Sequence, residues 1–358
     1  MPTRKARPLK LLTYVVRRLL LLIPVFFGVT LITFTIGFVI PVDPVHAWAG
    51  QHASGEQLER IREMLGFNLP FHEQYFRYVS RLAQFDFGLM PSDGFRPVSE
   101  ELALRFPATL ELTAYAMTLA VLLGVPAGIL SATRKDRLPD HITRAIALSG
   151  VSIPVFWLGI LLLYLFYGIM QIGAFAPIGR LSLENQSWYD FGCPFACENR
   201  KTGIVTLDSL LLGRFDVFWD GLGHLILPAF VLAYTTMALI TRMMRSSMLE
   251  VLGQDYIKAA RAKGLSERVV IKKHAKRNAL IPTTTVIGLS FGGLLGGAVL
   301  TETVFTYPGM GQWAVNMLIL LDFTGVMALT FITALIYVFA NLFVDIVNAY
   351  LDPRIRLE

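Results

Sequence analysis

The residues that could do chemistry in this chain fall into three sets. The first is a short basic run, "DYIKAARAKGL", where Lys258, Arg261 and Lys263 alternate with Ala259, Ala260 and Ala262 ahead of a glycine at 264. Asp255 reads as an N-cap before Tyr256, and Gly264 as the left-handed residue that ends the helix before Leu265. Ser266 then caps a second helical run. Small alanines let another backbone approach closely, and the surrounding cations can steer an acidic partner or rest on anionic lipid headgroups. The second set is three carboxylates inside apolar runs, Glu111, Glu302 and Asp345. Ionisable groups in such runs signal function by default, but these lie toward the ends of their runs, whereas an ion-coupled carrier would hold them near the midplane. Asp345 is expected to pair with Arg or Lys, or to snorkel to the interface. The third set is Cys193 and Cys197 in "GCPFACEN". An oxidising exterior permits a disulfide between them; free thiols are the alternative, and two thiolates without a nearby His fall short of a metal's four ligands.

Other chemistries are excluded by what is missing. No glycine precedes a lysine, so there is no P-loop. H-E-x-x-H does not occur. His46, His52 and His72 sit in one polar segment and read as surface residues. No inverted pair of Gly/Pro-broken segments marks an ion-driven transporter. The energy source is expected outside this chain.

The elements that must position these residues are membrane helices. The chain of 358 residues is 54% hydrophobic and only 16% charged, against about 25% charged in soluble domains, with a mean hydropathy of +0.56. Apolar runs long enough to cross about 30 Å of hydrocarbon occupy 19–40, 108–133, 145–172, 224–244, 280–303 and 325–347. Prolines 24, 126, 154 and 228 fall within them, as membrane helices tolerate. The first run is longer than the h-region of a signal peptide, about 7–15 residues, so it is expected to be retained. With the N-terminus inside, the inside segments hold 22 basic residues and the outside ones 10. The positive-inside rule therefore places both termini in the cytoplasm. The net charge of +6 is read as this topology signal and not as nucleic-acid binding. The expected organisation is a cytoplasmic N-terminus (1–18), a first span (19–40), an outer segment (41–105), a membrane core (106–350) and a cytoplasmic tail (351–358). The core carries an outer insertion at 171–221 and a cytoplasmic loop at 245–279.

With the loop placed, "KAARAKG" followed by "RNALIP" resembles the cytoplasmic loop motif of binding-protein-dependent ABC import permeases. That family's pattern is Glu-Ala-Ala, three residues, Gly, and later a hydrophobic–Pro pair. Here Lys258 replaces the Glu, Ala259, Ala260 and Gly264 keep their places, and Ile281–Pro282 supply the end. The gap from Gly264 to Pro282 is longer than the general pattern and is similar to the dipeptide/oligopeptide branch. "RFPATLEL", "SIPVFWLGILLLYLF", "GHLILPAFVLA", "TETVFTYPGMG" and "VDIVNAYLDPRIR" resemble that branch in order along nearly the whole chain. The long 171–221 insertion is a departure.

The resemblance implies an all-α membrane protein with six transmembrane helices in the type I importer fold, located in a prokaryotic plasma membrane. It implies a transport subunit and no enzyme, with residues 255 to 265 forming a helix that couples to an ATPase. The implied partners are a second homologous permease, two ATPase subunits that bind ATP and Mg, and an extracytoplasmic solute-binding protein; this chain itself needs no cofactor. Peptides are the expected cargo, with oligosaccharides or nickel as alternatives in the same class. An ion-coupled secondary transporter is the alternative from another class.

Overall fold

The computed structural model describes residues 8–39, 54–170, 178–189, 191–192 and 198–351, together with Val45. Almost every element is a helix. α1 (Pro8–Val39) runs through Pro24 without a break. α2 (Gly55–Leu65) starts in a capping box between Ser54 and Gln57, and α3 (Phe71–Ala83) follows. A short antiparallel pair, β1 (Leu89–Met90) and β2 (Arg96–Pro97), leads into α4 (Val98–Thr133). α5 (Leu138–Ser152) and α6 (Val155–Leu163) come next, α6 ending in a wide π turn at Tyr164–Ile169. The insertion holds α7 (Leu183–Gln186) and α8 (Val205–Leu211).

α9 (Phe215–Leu252) is the longest helix, and α10 (Asp255–Ala262) follows it after two residues. α11 (Glu267–Val269), a π turn at Val270–Ala275 and α12 (Lys276–Gly297) form one continuous helical run. α13 (Val299–Val304), α14 (Met310–Ile319) and α15 (Phe323–Leu351) are the last elements among the described residues.

Five of these helical stretches are long and apolar enough to cross a membrane: Leu19–Gly37, Val98–Thr133, Phe215–Leu252, Glu267–Gly296 and Phe323–Val347. The third expected span, 145–172, is not one straight helix. α5 and α6 meet at a bend of 101°, because Ile153 precedes Pro154 and takes an extended conformation (φ −83°, ψ 124°). The proline ring excludes that residue from helical geometry. Counting the bent pair as one crossing gives six.

The core forms where α4 crosses α9. Ala108, Leu112, Ala116 and Ala120 of α4 are buried with Leu225, Leu232, Ile240, Met244 and Met248 of α9. Glycine allows the closest approach: a methyl on Gly128 would lie 2.6 Å from Met244 Cβ and 2.8 Å from the Thr241 carbonyl. α5 joins through Gly150, where a methyl would lie 2.9 Å from Ala238 Cβ. α1 leans on α15 through the edge-on rings of Phe26 and Phe331, 5.4 Å apart. Leu20, Leu21, Ile32 and Ile36 of α1 stay exposed, as expected of a face that meets lipid.

Candidate functional site

α9 hands the chain directly to the basic run. Gln254, and not Asp255, is the N-cap of α10: its backbone is extended (φ −71°, ψ 149°), while Asp255 is already helical. The Asp255 carboxylate instead accepts from Lys258 Nζ at 2.9 Å. A helix of eight residues is too short to hold itself together in water, so packing must fix it. Ile257 and Ala260, one turn apart, are its buried residues. Ala260 therefore faces the chain's own core, which corrects its expected place on the free alanine surface; Ala259 and Ala262 are exposed. Tyr256 is part-exposed, and its hydroxyl accepts from Asn278 Nδ2 at 2.6 Å.

The turn after α10 is built by glycine and an ion pair. Gly264 has φ +77°, a conformation open to glycine and costly for a residue with a Cβ. Its N–H donates to the Arg261 carbonyl (2.9 Å), and the Leu265 N–H reaches back to the Ala260 carbonyl (3.3 Å). Arg261 closes the turn from outside, donating Nε and Nη2 to the two oxygens of Glu267 at 3.0 and 2.7 Å. Glu267 precedes the apolar run at 280–303, and the bonds from Arg261 hold its carboxyl below the usual range. Ser266 has the extended backbone of an N-cap, but its side chain makes no capping bond. The π turn buries Val270 and Ala275 and leaves Lys272 and Lys273 exposed beside Lys263 and Arg268. The surface is cationic and shaped by residues it does not display.

Behind this turn lies a contact that sequence reasoning missed. Asp140 of α5 is fully buried and receives Arg245 of α9 as a two-pronged donor, Nε and Nη2 each at 2.9 Å. Ser131 of α4 donates to the same carboxylate, and so does the Asp136 N–H at 3.0 Å. An Asp in a polar loop carries no sequence mark of such a partner more than a hundred residues away.

Glu111 of α4, and Glu302 bonded to Thr109 of α4, are each the centre of a separate hydrogen-bond hub. Glu111 accepts from Arg180 Nη2 (2.5 Å), from the Thr206 N–H (2.8 Å) and hydroxyl (2.7 Å), and from the Tyr307 hydroxyl (3.2 Å). Glu302 accepts from the Thr109 hydroxyl (2.7 Å) and from the N–H groups of Gly311 (2.7 Å) and Gln312 (3.0 Å) at the start of α14. Thr109, Tyr307 and Gly311 fall within "RFPATLEL" and "TETVFTYPGMG", whereas Arg180, Thr206 and Gln312 are unmarked in the sequence. The hubs tie the insertion and the α13–α14 turn to α4.

Asp208 is buried and accepts from Tyr189, Thr202 and Gly203 inside the insertion. Asp345 is half-buried on α15 and belongs to neither hub. Cys193 and Cys197 lie outside the described residues. Among the described residues no group of three His, Cys, Asp or Glu side chains could hold a metal ion.

Residues 124–357 match the family described as "Binding-protein-dependent transport system inner membrane component", and residues 11–113 match its N-terminal counterpart. The chain belongs to this family. It is similar to the probable D,D-dipeptide transport system permease protein of Escherichia coli K12, at 46% identity over 92% of this chain and 93% of that protein. The dipeptide transport system permease protein of Alkalihalophilus pseudofirmus is 41% identical over 97% and 100% of the two chains. The di/tripeptide transport system permease protein of Pseudomonas aeruginosa is 42% identical over 97% and 99%. The chain is thus an ABC permease, a multi-pass membrane protein and a transport subunit of a complex with partner components, and not an enzyme.

Proposed function

We propose that this permease forms part of the translocation path of an ATP-driven peptide importer and that residues 255–265 couple it to a cytoplasmic ATPase. The observation that carries the reading is the shape of α10 and its turn. A short helix is seated on the core by Ile257 and Ala260, ended by a glycine at φ +77°, and left cationic on its free side. Such a helix fits recognition in a groove on an acidic partner, and ATP and Mg would bind in that partner. The remaining assembly is a second homologous permease, a second ATPase subunit and an extracytoplasmic solute-binding protein that delivers peptides. Both termini and α10 face the cytoplasm, following the 22-to-10 split of basic residues. The insertion, with its own core of Leu181, Tyr189, Val205 and Val217, then faces the binding protein.

Alternating access supplies the mechanism: closure of the ATPase pair draws the coupling helices together and opens the spans outward. The cargo reading rests on the di- and tripeptide systems named for the relatives. Vesicles holding the full set of subunits and a mixture of radiolabelled dipeptides test it. Wild type should import them with ATP, and Gly264→Val should abolish import while reaching the membrane at normal levels. The β-branched residue is strained by about 1–2 kcal/mol at positive φ, which reopens the turn. Wild-type import by Gly264→Val would remove α10 from the coupling path, and no ATP-dependent import by wild type would remove the peptide reading.

A further inference from the structure

We infer that the Asp140–Arg245 pair is a positioning device for coupling: it locks α4, α5 and α9 into one body that carries α10. The inference rests on the reading of α10 as the coupling helix. α9 runs unbroken from Arg245 to Leu252, and only Gly253 and Gln254 separate it from α10. Whatever fixes the inner end of α9 therefore fixes α10.

All the acceptor capacity of Asp140 is spent on three neighbours. Oδ1 takes Arg245 Nε and the Ser131 hydroxyl, and Oδ2 takes Arg245 Nη2 and the Asp136 N–H. These donors come from α9, α4 and the α4–α5 turn, while the carboxylate itself belongs to α5. The turn is held in a costly shape to make this possible, since Asp136 is a non-glycine residue at φ +60°. Strain of that kind persists only where the surroundings over-determine it, and the bond from Asp136 to Asp140 is the visible constraint.

The packing around the pair leaves no room to slip. Met244, next to Arg245, presses on Gly128 of α4, and Thr283 of α12 donates to its sulfur at 3.4 Å. Gly150 of α5 abuts Ala238 of α9. Apolar packing alone would hold these helices together about as well, because a buried ion pair costs much of its attraction in desolvation. A planar fork on a carboxylate adds what methyl groups lack, a fixed register between helices. Register is what a lever needs.

The test uses the complete transporter in vesicles with wild type, Gly264→Val, Arg245→Met, Arg245→Lys and Asp140→Asn. The readout is ATP hydrolysed per dipeptide imported, alongside assembly yield. Arg245→Met and Asp140→Asn should assemble with their partners and raise that ratio at least about fivefold, the lower end of typical coupling energies. Arg245→Lys keeps the charge without the fork and should fall between them and wild type. A wild-type ratio in Arg245→Met or Asp140→Asn overturns the inference, and so does failure of both to assemble, since the pair would then serve stability alone. Normal wild-type import abolished by Gly264→Val shows that the coupling reading stands, so the two failures are separable.

Discussion

Two glycine turns sit at opposite ends of this permease, and they use glycine for opposite reasons. At the basic end, Gly264 has φ +77°, and a methyl added there would meet no atom within 4 Å. At the other end, Gly309 has an ordinary φ of −97°, but a methyl would fall into the Glu302 carboxylate. Gly311, two residues on, would press its methyl to 2.6 Å from Val299 Cα and 2.9 Å from its nitrogen. The first turn needs glycine's backbone freedom and faces open space; the second needs glycine's lack of bulk. One is an exposed turn with open space beside it, and the other is a joint already filled.

The largest effect should come from overfilling the closed joint. Gly311→Ala pushes a methyl against the Val299 backbone, which cannot swing away as a side chain would, and it displaces the N–H that Glu302 accepts at 2.7 Å. Overpacking of this kind costs about 1–3 kcal/mol, and the lost bond puts the expected value near the top of that range. Thermal unfolding in detergent should show a clear drop in midpoint; an unchanged midpoint would mean that α13 and α14 are free to separate.

Next comes the carboxylate itself. In Glu302→Gln the side chain keeps its size, but an amide NH2 replaces one acceptor among three donors: Thr109, Gly311 and Gln312. A buried donor left without a partner costs about 1–3 kcal/mol, so a destabilisation smaller than that of Gly311→Ala is expected. If the Glu302→Gln variant proved as stable as wild type, the hub would be held by packing and not by its acceptor.

The same contrast explains how much of the molecule can be read from sequence. The Gly264 turn is local: a glycine after a short alanine-rich run, with its consequences inside ten residues. The six apolar stretches are equally plain, because burial in lipid is a property of composition. Pro154 is visible too, and by itself it reads as tolerated within a span; only the chain around it decides between a kink and the 101° bend that occurs. Glu111 and Glu302 stand out as charges in apolar runs, but Arg180, Thr206 and Tyr307 lie far along the chain, and nothing about an isolated Arg or Tyr names its acceptor. Ala260 is misread for a smaller reason. Its pattern suggests a face offered to a partner, whereas Ile257 and Ala260 use that face to seat α10 on its own core.

At the open turn, size should matter little and conformation should matter more. Gly264→Ala costs about 1 kcal/mol, because the residue must hold a left-handed backbone with no clash to relieve. Gly264→Asn should cost less, since Asn visits that region more readily. Stability measured for the pair should therefore rank Gly, Asn, Ala. A ranking by size, with Ala better than Asn, would say that a neighbour fills the space and would erase the contrast with Gly311.

The smallest expected effect lies in the ion pair that spans the open turn. Glu267 takes both prongs of Arg261, but the two side chains are 55% and 42% exposed, so water screens most of the attraction. Exposed pairs of this sort contribute up to about 0.5–1 kcal/mol, and Glu267→Gln should lose no more than that. The pH dependence has a definite sign. Folding lowers the Glu267 pKa from its ordinary 4.5, chiefly through the hydrogen bonds from Arg261. The contribution is thus fully present above pH 4.5 and fades as the pH falls through the folded value, where the carboxylate takes up its proton. Salt should weaken it at neutral pH, since the charges are in reach of the ionic atmosphere. Comparing wild type with Glu267→Gln, the gap in unfolding midpoint should shrink both on acidification and in high salt. A gap that grew in acid would reverse the assigned shift. A gap of several kcal/mol would mean that this turn is closed by its ion pair and is no open surface, and the distinction between the two ends of the permease would fail.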